Sequence, residues 1–473
     1  MSRFSLLAFV ALSCAAPSQP RALHAPTLAV RYVYKVDVSR APVLAIEARF
    51  DPGGAPDLEI GEGLAGAVTR VSVVRTGGES IVSKDVGRWH IPECAGPCTV
   101  RYEVDLSRAE RGLDAVSRVG DSYLAPTYAW LLRPAPIMVG TFEVVATGAP
   151  PATGAWGNVS RVGELRDLGE GRRGFASSDF GEGSFMAFGQ LRAHREAVLG
   201  GAVDVAVMDG PLAMGEAGAS RWVTDAATCV AGLYGRFPVP QASVFVLPVK
   251  GADEPVFGKV LSLGGASVCV LTGEASRADR LHDDWILVHE MVHLGFPTFV
   301  GEGRWLGEGV ATYYEPILRA RMGWRDRDET WRGLAREFPR GLPAGPPYAL
   351  EQRDGIDDIY WGGALFVMMA DVRIRQATAG RHSLDDVMRG VLAKGGDGEH
   401  VWRVESVMRE GDAITGTHVL TELHARYAAR GERVDLDAEL RALGIARAGG
   451  DVVISDDGPL AWIRRAIVSK EGK

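Results

Sequence analysis

The sequence has no surplus of basic charge: 52 Lys and Arg stand against 60 Asp and Glu, for a net charge of −8. Phosphate-rich partners find no general counter-charge in such a chain, so nucleic acid is not an expected partner. No apolar run reaches the roughly 20 residues a membrane-spanning helix needs. The 59 glycines follow no triplet period, which excludes a collagen and leaves them to loops and bulges. Apolar residues are not scarce, and 46% hydrophobic with 24% charged excludes a disordered tail protein. At roughly 100–200 residues per domain, 473 residues predict two to four domains.

The N-terminus reads as an address. Arg3 precedes the apolar run Phe4-Ser-Leu-Leu-Ala-Phe-Val-Ala-Leu12, which is too short to span a bilayer and has the form of a secretory signal. Ser13-Cys14-Ala15 follows, and a small residue before a cysteine at that point resembles a bacterial lipoprotein processing site. Cys14 is therefore a candidate lipid anchor, while Ala11 in place of the commoner leucine keeps ordinary signal cleavage open. The expected destination is outside the cytoplasm: periplasmic, membrane-anchored or secreted. Cysteine usage agrees with export. Cys94-Ala-Gly-Pro-Cys98 predicts a small disulfide, since no second pair lies near enough to complete a zinc knuckle. Cys229 and Cys269 fit either buried thiols or a second bridge.

The hydrophobic period divides the rest of the chain. Runs at Val30–Val36, Val43–Phe50, Val68–Val74, Thr99–Val104 and Ile137–Val145 are β-branched or aromatic and are separated by turn residues. From Ser220 the period moves toward 3.6, with helical runs at 220–236, 279–295, 304–322, 360–378, 384–394, 417–429 and 434–443. The predicted organisation is α+β and multidomain: a signal peptide at 1–13, a linker at 14–27, an antiparallel β domain at 28–205, a mostly helical domain at 206–380 and a helical C-terminal region at 381–473. Gly61-Glu-Gly63-Leu-Ala-Gly66 matches a dinucleotide fingerprint, but that motif works only at the start of a helix. The segment after it is strand-like, so a hairpin loop is expected.

Chemistry concentrates in Trp285-Ile-Leu-Val-His289-Glu290-Met-Val-His293-Leu-Gly. On a helix, residues four apart share a face, so both imidazoles can reach one zinc ion, and Glu290 stands beside them as a general base. The helix is otherwise apolar, and burying a carboxylate and two imidazoles without a partner is costly; a divalent cation supplies the partner. A hydrolytic zinc site needs a third protein ligand and one open position. His282 lies eleven residues before His293, about 16 Å away if the helix is continuous, and so cannot share the ion. Downstream, Leu306, Val310, Tyr313 and Ile317 form the apolar face of a second helix, whose first turns can bring Glu308 to the metal. Glu302 and Glu315 are the alternatives.

His289-Glu-Met-Val-His293, then Trp305-Leu-Gly-Glu308-Gly and Thr312-Tyr-Tyr, resemble the gluzincin metallopeptidases, in particular the glycyl aminopeptidase family and the related aminopeptidase N. Tyr360-Trp-Gly-Gly-Ala-Leu, Asp371-Val-Arg-Ile-Arg and Ser383-Leu-Asp-Asp-Val-Met-Arg389 extend the likeness, which covers about residues 280–395. It implies a thermolysin-like catalytic domain after the β domain, with Zn2+ bound by His289, His293 and Glu308. It also implies that Glu290 is the base and that the Tyr360 hydroxyl is the partner of the oxyanion. Without the likeness, Tyr360 would read as a core aromatic at a helix start. Ser383 and Asp386 read as an N-capping box.

The chain departs from the pattern in three places. Only fourteen residues, 294–307, separate His293 from Glu308, fewer than in aminopeptidase N. The strand expected to hold a substrate's amino terminus, Gly264-Gly-Ala-Ser-Val-Cys-Val-Leu271, has no glutamate to pair with an ammonium. The length after the helices is expected to be too short for the PDZ domain that ends glycyl aminopeptidases. The expectation is an exported zinc metallopeptidase acting on peptides or proteins, its oligomeric state left open. The alternatives are a zinc hydrolase of non-peptide substrates and a surface-tethered binding lipoprotein with structural zinc.

Overall fold

The computed structural model describes residues 30–51, 56–112, 115–135, 140–147, 166–167, 173–177, 183–263, 265–299, 301–343, 348–448 and 450–470; the expected leader, linker and Cys14 lie outside them. The first region is built on an eight-stranded sheet. Its strands are β1 (Val30–Asp37), β2 (Val43–Asp51), β3 (Val68–Arg75), β4 (Gly78–Ile81), β5 (Cys98–Asp105), β6 (Gly140–Thr147), β7 (Arg166–Asp167) and β8 (Arg173–Ser177), in the order β7-β8-β6-β1-β2-β5-β3-β4. Alternation makes these strands: Leu44, Ile46, Ala48 and Phe50 of β2 and Val100, Tyr102 and Val104 of β5 all turn into one core. The sheet is not wholly antiparallel as expected, because β1 and β6 run parallel. These two strands are far apart in sequence, and residue alternation carries no information about the direction of such a pairing. The Cys94–Cys98 disulfide forms at the entry to β5, with the Cα atoms 5.0 Å apart. The Gly61–Gly66 stretch forms turns and is followed by β3, with no helix after it.

The second region has a five-stranded sheet of β9 (Leu191–Val198), β10 (Gly201–Met208), β11 (Gln241–Val249), β12 (Pro255–Leu261) and β13 (Ser267–Gly273), in the order β9-β10-β11-β13-β12. The division expected at 205/206 falls inside β10. The strands β10, β11 and β13 are mutually parallel, and both edge strands are antiparallel to their neighbours. Each interior strand is buried on two faces. Val203, Val205, Val207, Val244 and Val246 pack on the helical side, while Ala206, Met208, Phe245 and Leu247 meet Leu124, Phe185 and Ala187 of a small three-stranded sheet.

The helical side contains α1 (Gly215–Tyr234), α2 (Ile286–Val292), α3 (Arg304–Arg321), α4 (Arg327–Glu337), α5 (Gly363–Ala377), α6 (Leu384–Ala393) and α7 (Val404–Thr415). The helices α4 and α7, and a shorter one at Ala461–Ile467, were not expected from the period. Asp326 announces α4 by accepting from the Glu329 N–H at 2.8 Å, the signature of an N-cap. The C-terminal region is helical as expected but also holds a hairpin, Ile445–Ala448 with Asp451–Ile454. No described helix is long and apolar enough to cross a membrane. Cys229 and Cys269 are free buried thiols, and burial raises the pKa of both.

A buried network locks α3 to α5 and α6. The Tyr313 hydroxyl donates to Asp371 at 3.0 Å, and Asp371 also receives Arg375 at 2.9 Å and the Leu384 N–H at 3.0 Å. Asp385 receives the Tyr314 hydroxyl and Arg321, each at 2.8 Å. The Ser383–Asp386 capping box is present. Backbones touch where α3 crosses α5: a Cβ on Gly309 would overlap Gly363, and one on Gly363 would overlap the Trp305 carbonyl. This contact holds the segment before α5 against the first turns of α3.

Candidate metal centre

The chain enters α2 through a break rather than along one continuous helix. A short 3-10 turn covers Ala278–Asp283, Asp284 is extended, and its carboxylate accepts from the N–H groups of Ile286 at 3.0 Å and Leu287 at 3.2 Å. The premise that separated His282 from the cluster by helix length therefore does not hold. His282 is still elsewhere, bonded to Asp225 at 2.9 Å and stacked on Trp324. Of the segment 285–294, Ile286, Leu287, Val288, Met291, Val292 and Leu294 are buried as expected; Trp285 is not.

His289 and His293 project from one face of α2 and its terminal turn, their ring centroids 5.1 Å apart. The second turn of α3 brings Glu308 between them. Its Oε2 lies 3.3 Å from His289 Nε2 and 3.4 Å from His293 Nε2, and one potential ligand atom from each residue falls within 4.8 Å of the others. These separations are long for a charged hydrogen bond. They suit a shared ion, because two donors at 2.0–2.1 Å from a tetrahedral centre stand about 3.3–3.4 Å from each other. Two imidazoles and a carboxylate are also a donor set that zinc takes.

Tyr360 sits in a π-helical turn, Asp358–Gly362, immediately before α5. Such turns interrupt the regular helix and often mark functional sites. Its ring stacks on His289, with centroids 5.8 Å apart and planes 10° apart, and its hydroxyl feels the charge of Glu308. Half-buried rather than enclosed, Tyr360 is not simply a core aromatic. Glu290 points toward the edge strand β12, its side chain lying against Gly258. Gly258 permits this approach, since a Cβ there would stand 2.7 Å from Glu290 Cγ and 2.5 Å from Ile286.

The electrostatics separate the two glutamates. Burial raises the pKa of Glu290, and the neighbouring imidazoles only partly offset it. Glu308 is also desolvated, but contacts with His293 and His289 outweigh that and hold it ionised well below its ordinary range. Burial disfavours charge on His293, yet Glu308 reverses the balance and raises its pKa. Burial and then the Glu308 charge keep the Tyr360 hydroxyl protonated.

The structure thus brings together His289, Glu290, His293, Glu308 and Tyr360. Glu315, one of the alternative third ligands, pairs instead with Arg319 at 2.6 Å, and the side chain of Glu302 lies outside the described residues. The strand beside the cluster differs from the one expected. Segment 264–271 leads into β13, which is flanked on both sides by other strands, whereas β12 forms the sheet edge along α2. The sequences carry the reason: Ser267-Val-Cys-Val-Leu reads as a doubly buried interior strand, and Pro255 with Lys259 marks an edge.

No family model matches the chain, and no curated protein matches it. Solved structures do. The chain resembles an aminopeptidase N family protein from Idiomarina loihiensis, with a TM-score of 0.67, 14% identity, and 88% of this chain and 78% of that one covered. It also resembles a mutant M1 zinc metallopeptidase from Deinococcus radiodurans bound to a Tyr-Ser-Ala substrate, with a TM-score of 0.50, 15% identity, and coverage of 86% and 94%. At these identities the likeness establishes a shared fold.

Proposed function

We propose that the chain is a zinc metallopeptidase of the gluzincin type, with His289, His293 and Glu308 holding the ion. The observation that carries this reading is the placing of the Glu308 oxygen 3.3 and 3.4 Å from two imidazole nitrogens, the spacing of donors around one tetrahedral ion. When bound, zinc supplies Lewis acidity, which eases deprotonation of a water and polarises a carbonyl. Glu290 takes the proton of the attacking water on its carboxylate and delivers it to the departing amide nitrogen. Burial raises its pKa, which strengthens it as the base in the first half of that transfer. The Tyr360 hydroxyl donates a hydrogen bond to the carbonyl oxygen as negative charge gathers there.

A peptide substrate is supported by β12. The sheet ends at this strand among the described residues, and the strand runs beside Glu290, so an extended chain can lie along it with a backbone carbonyl near the base. Pro255-Val-Phe-Gly-Lys-Val-Leu261 offers a lysine and no carboxylate, so it provides no acidic partner for a free amino terminus. Export, with cleavage or lipidation at Cys14, is part of the proposal on the sequence of residues 1–14 alone.

The test is mass spectrometry of products from a peptide library, with free and blocked amino termini, using the zinc-loaded chain and its Glu290→Gln variant. Cleavage by the wild type is expected, with the variant slower by roughly 10²–10⁴-fold at equal zinc content. Equal rates would remove Glu290 from its role, and an uncleaved library would remove the peptidase reading.

A further inference from the structure

We propose that Trp285 is a specificity residue, forming a subsite that selects peptides with an aromatic or large apolar side chain next to the scissile bond. The inference deepens the peptidase reading and uses the same cluster. Every other apolar residue from Ile286 to Leu294 is buried, while Trp285, one turn before His289, is 49% exposed. Its indole stands perpendicular to the His289 imidazole, with centroids 5.5 Å apart, so it lies directly beside the cluster.

Trp462, the other exposed tryptophan among the described residues, is used in packing: its ring covers Gly380. The indole of Trp285 meets one aromatic ring among the described residues, His289, and about half of the residue's surface faces solvent. The backbone beneath it is fixed, because the Asp284 carboxylate ties down the two amides that follow Trp285. A rigid aromatic side chain offers a large apolar contact at low entropic cost, and aromatic partners gain further from edge-to-face or offset stacking. The strand on which α2 packs also carries exposed apolar surface at Val256. An apolar substrate side chain is the occupant that this surface and the adjacent hydrolytic groups share.

The experiment is calorimetry on the zinc-loaded full chain carrying Glu290→Gln, which separates binding from turnover. The probes are two blocked tetrapeptides, acetyl-Ala-Ala-Phe-Ala-amide and its Phe-to-Ser counterpart. The phenylalanine peptide is expected to bind about 10-fold more tightly. Adding Trp285→Ala should bring the two affinities together, and Trp285→Phe should restore most of the difference. Equal affinities in the parent, including no binding of either peptide, or a preference that survives Trp285→Ala, would overturn the proposal. Discrimination without cleavage by the wild type would leave the subsite standing and sink the peptidase reading; cleavage without discrimination would do the reverse.

Discussion

Two clusters of buried charge lie one behind the other on α3, and they are completed differently. Behind Tyr313 and Tyr314, each carboxylate has its own guanidinium: Asp371 has Arg375 and Asp385 has Arg321, with tyrosine hydroxyls and a backbone amide filling the remaining acceptor positions. In front, Glu308 meets two imidazoles and the Tyr360 hydroxyl. On the proposed reading the imidazoles are neutral ligands and cannot balance the carboxylate, so the front cluster would be completed by a cation from outside. The same helix thus carries a network paired within the protein and, in front of it, the cluster to which the proposed function assigns the chemistry.

Substitutions can test that contrast. The largest expected effect is in the closed network. Asp385→Asn leaves Arg321 buried without its counter-charge and should cost about 3–5 kcal/mol of unfolding free energy, read by denaturant titration of the chain, with or without zinc. Should stability be unchanged, the network would not be what binds α3 to α6. In the open cluster, Glu308→Ala should spare the fold but weaken zinc retention by about 100-fold or more, beyond the 10–100-fold typical of losing an outer partner. Zinc per chain after dialysis measures this, and full occupancy would move the third ligand elsewhere. Smallest is Tyr360→Phe, which keeps the ring stack on His289 and removes only the hydroxyl. A fall of about 100-fold in kcat, with KM and zinc content nearly constant, is expected for one lost donor to the oxyanion. A change confined to KM would make Tyr360 a binding group instead.

The sequence revealed the front cluster more readily than the back one. His289 and His293 are joined by helical geometry that acts over four residues, and Glu308 sits on a helix whose apolar face is readable from Leu306, Val310, Tyr313 and Ile317. The partners of Tyr313 and Tyr314 lie 58 and 71 residues away, so spacing could not pair them. Strand positions followed from alternation in β2 and β5, but sheet membership did not: β9 and β10 look like continuations of the first region and belong to the second. The edge strand was legible in part. Pro255, Gly258 and Lys259 mark β12 as an edge, yet only the folded chain shows that Gly258 lets it close on Glu290. Trp285 reads as one more apolar helix residue until the break at Asp284 turns it outward.

X-ray absorption at the zinc edge of the purified, zinc-loaded chain probes the central claim directly. One ion per chain, with two imidazole nitrogens and otherwise oxygen ligands at about 2.0–2.1 Å, is the predicted result. A sulfur ligand, a single imidazole, or no stoichiometric zinc would contradict it.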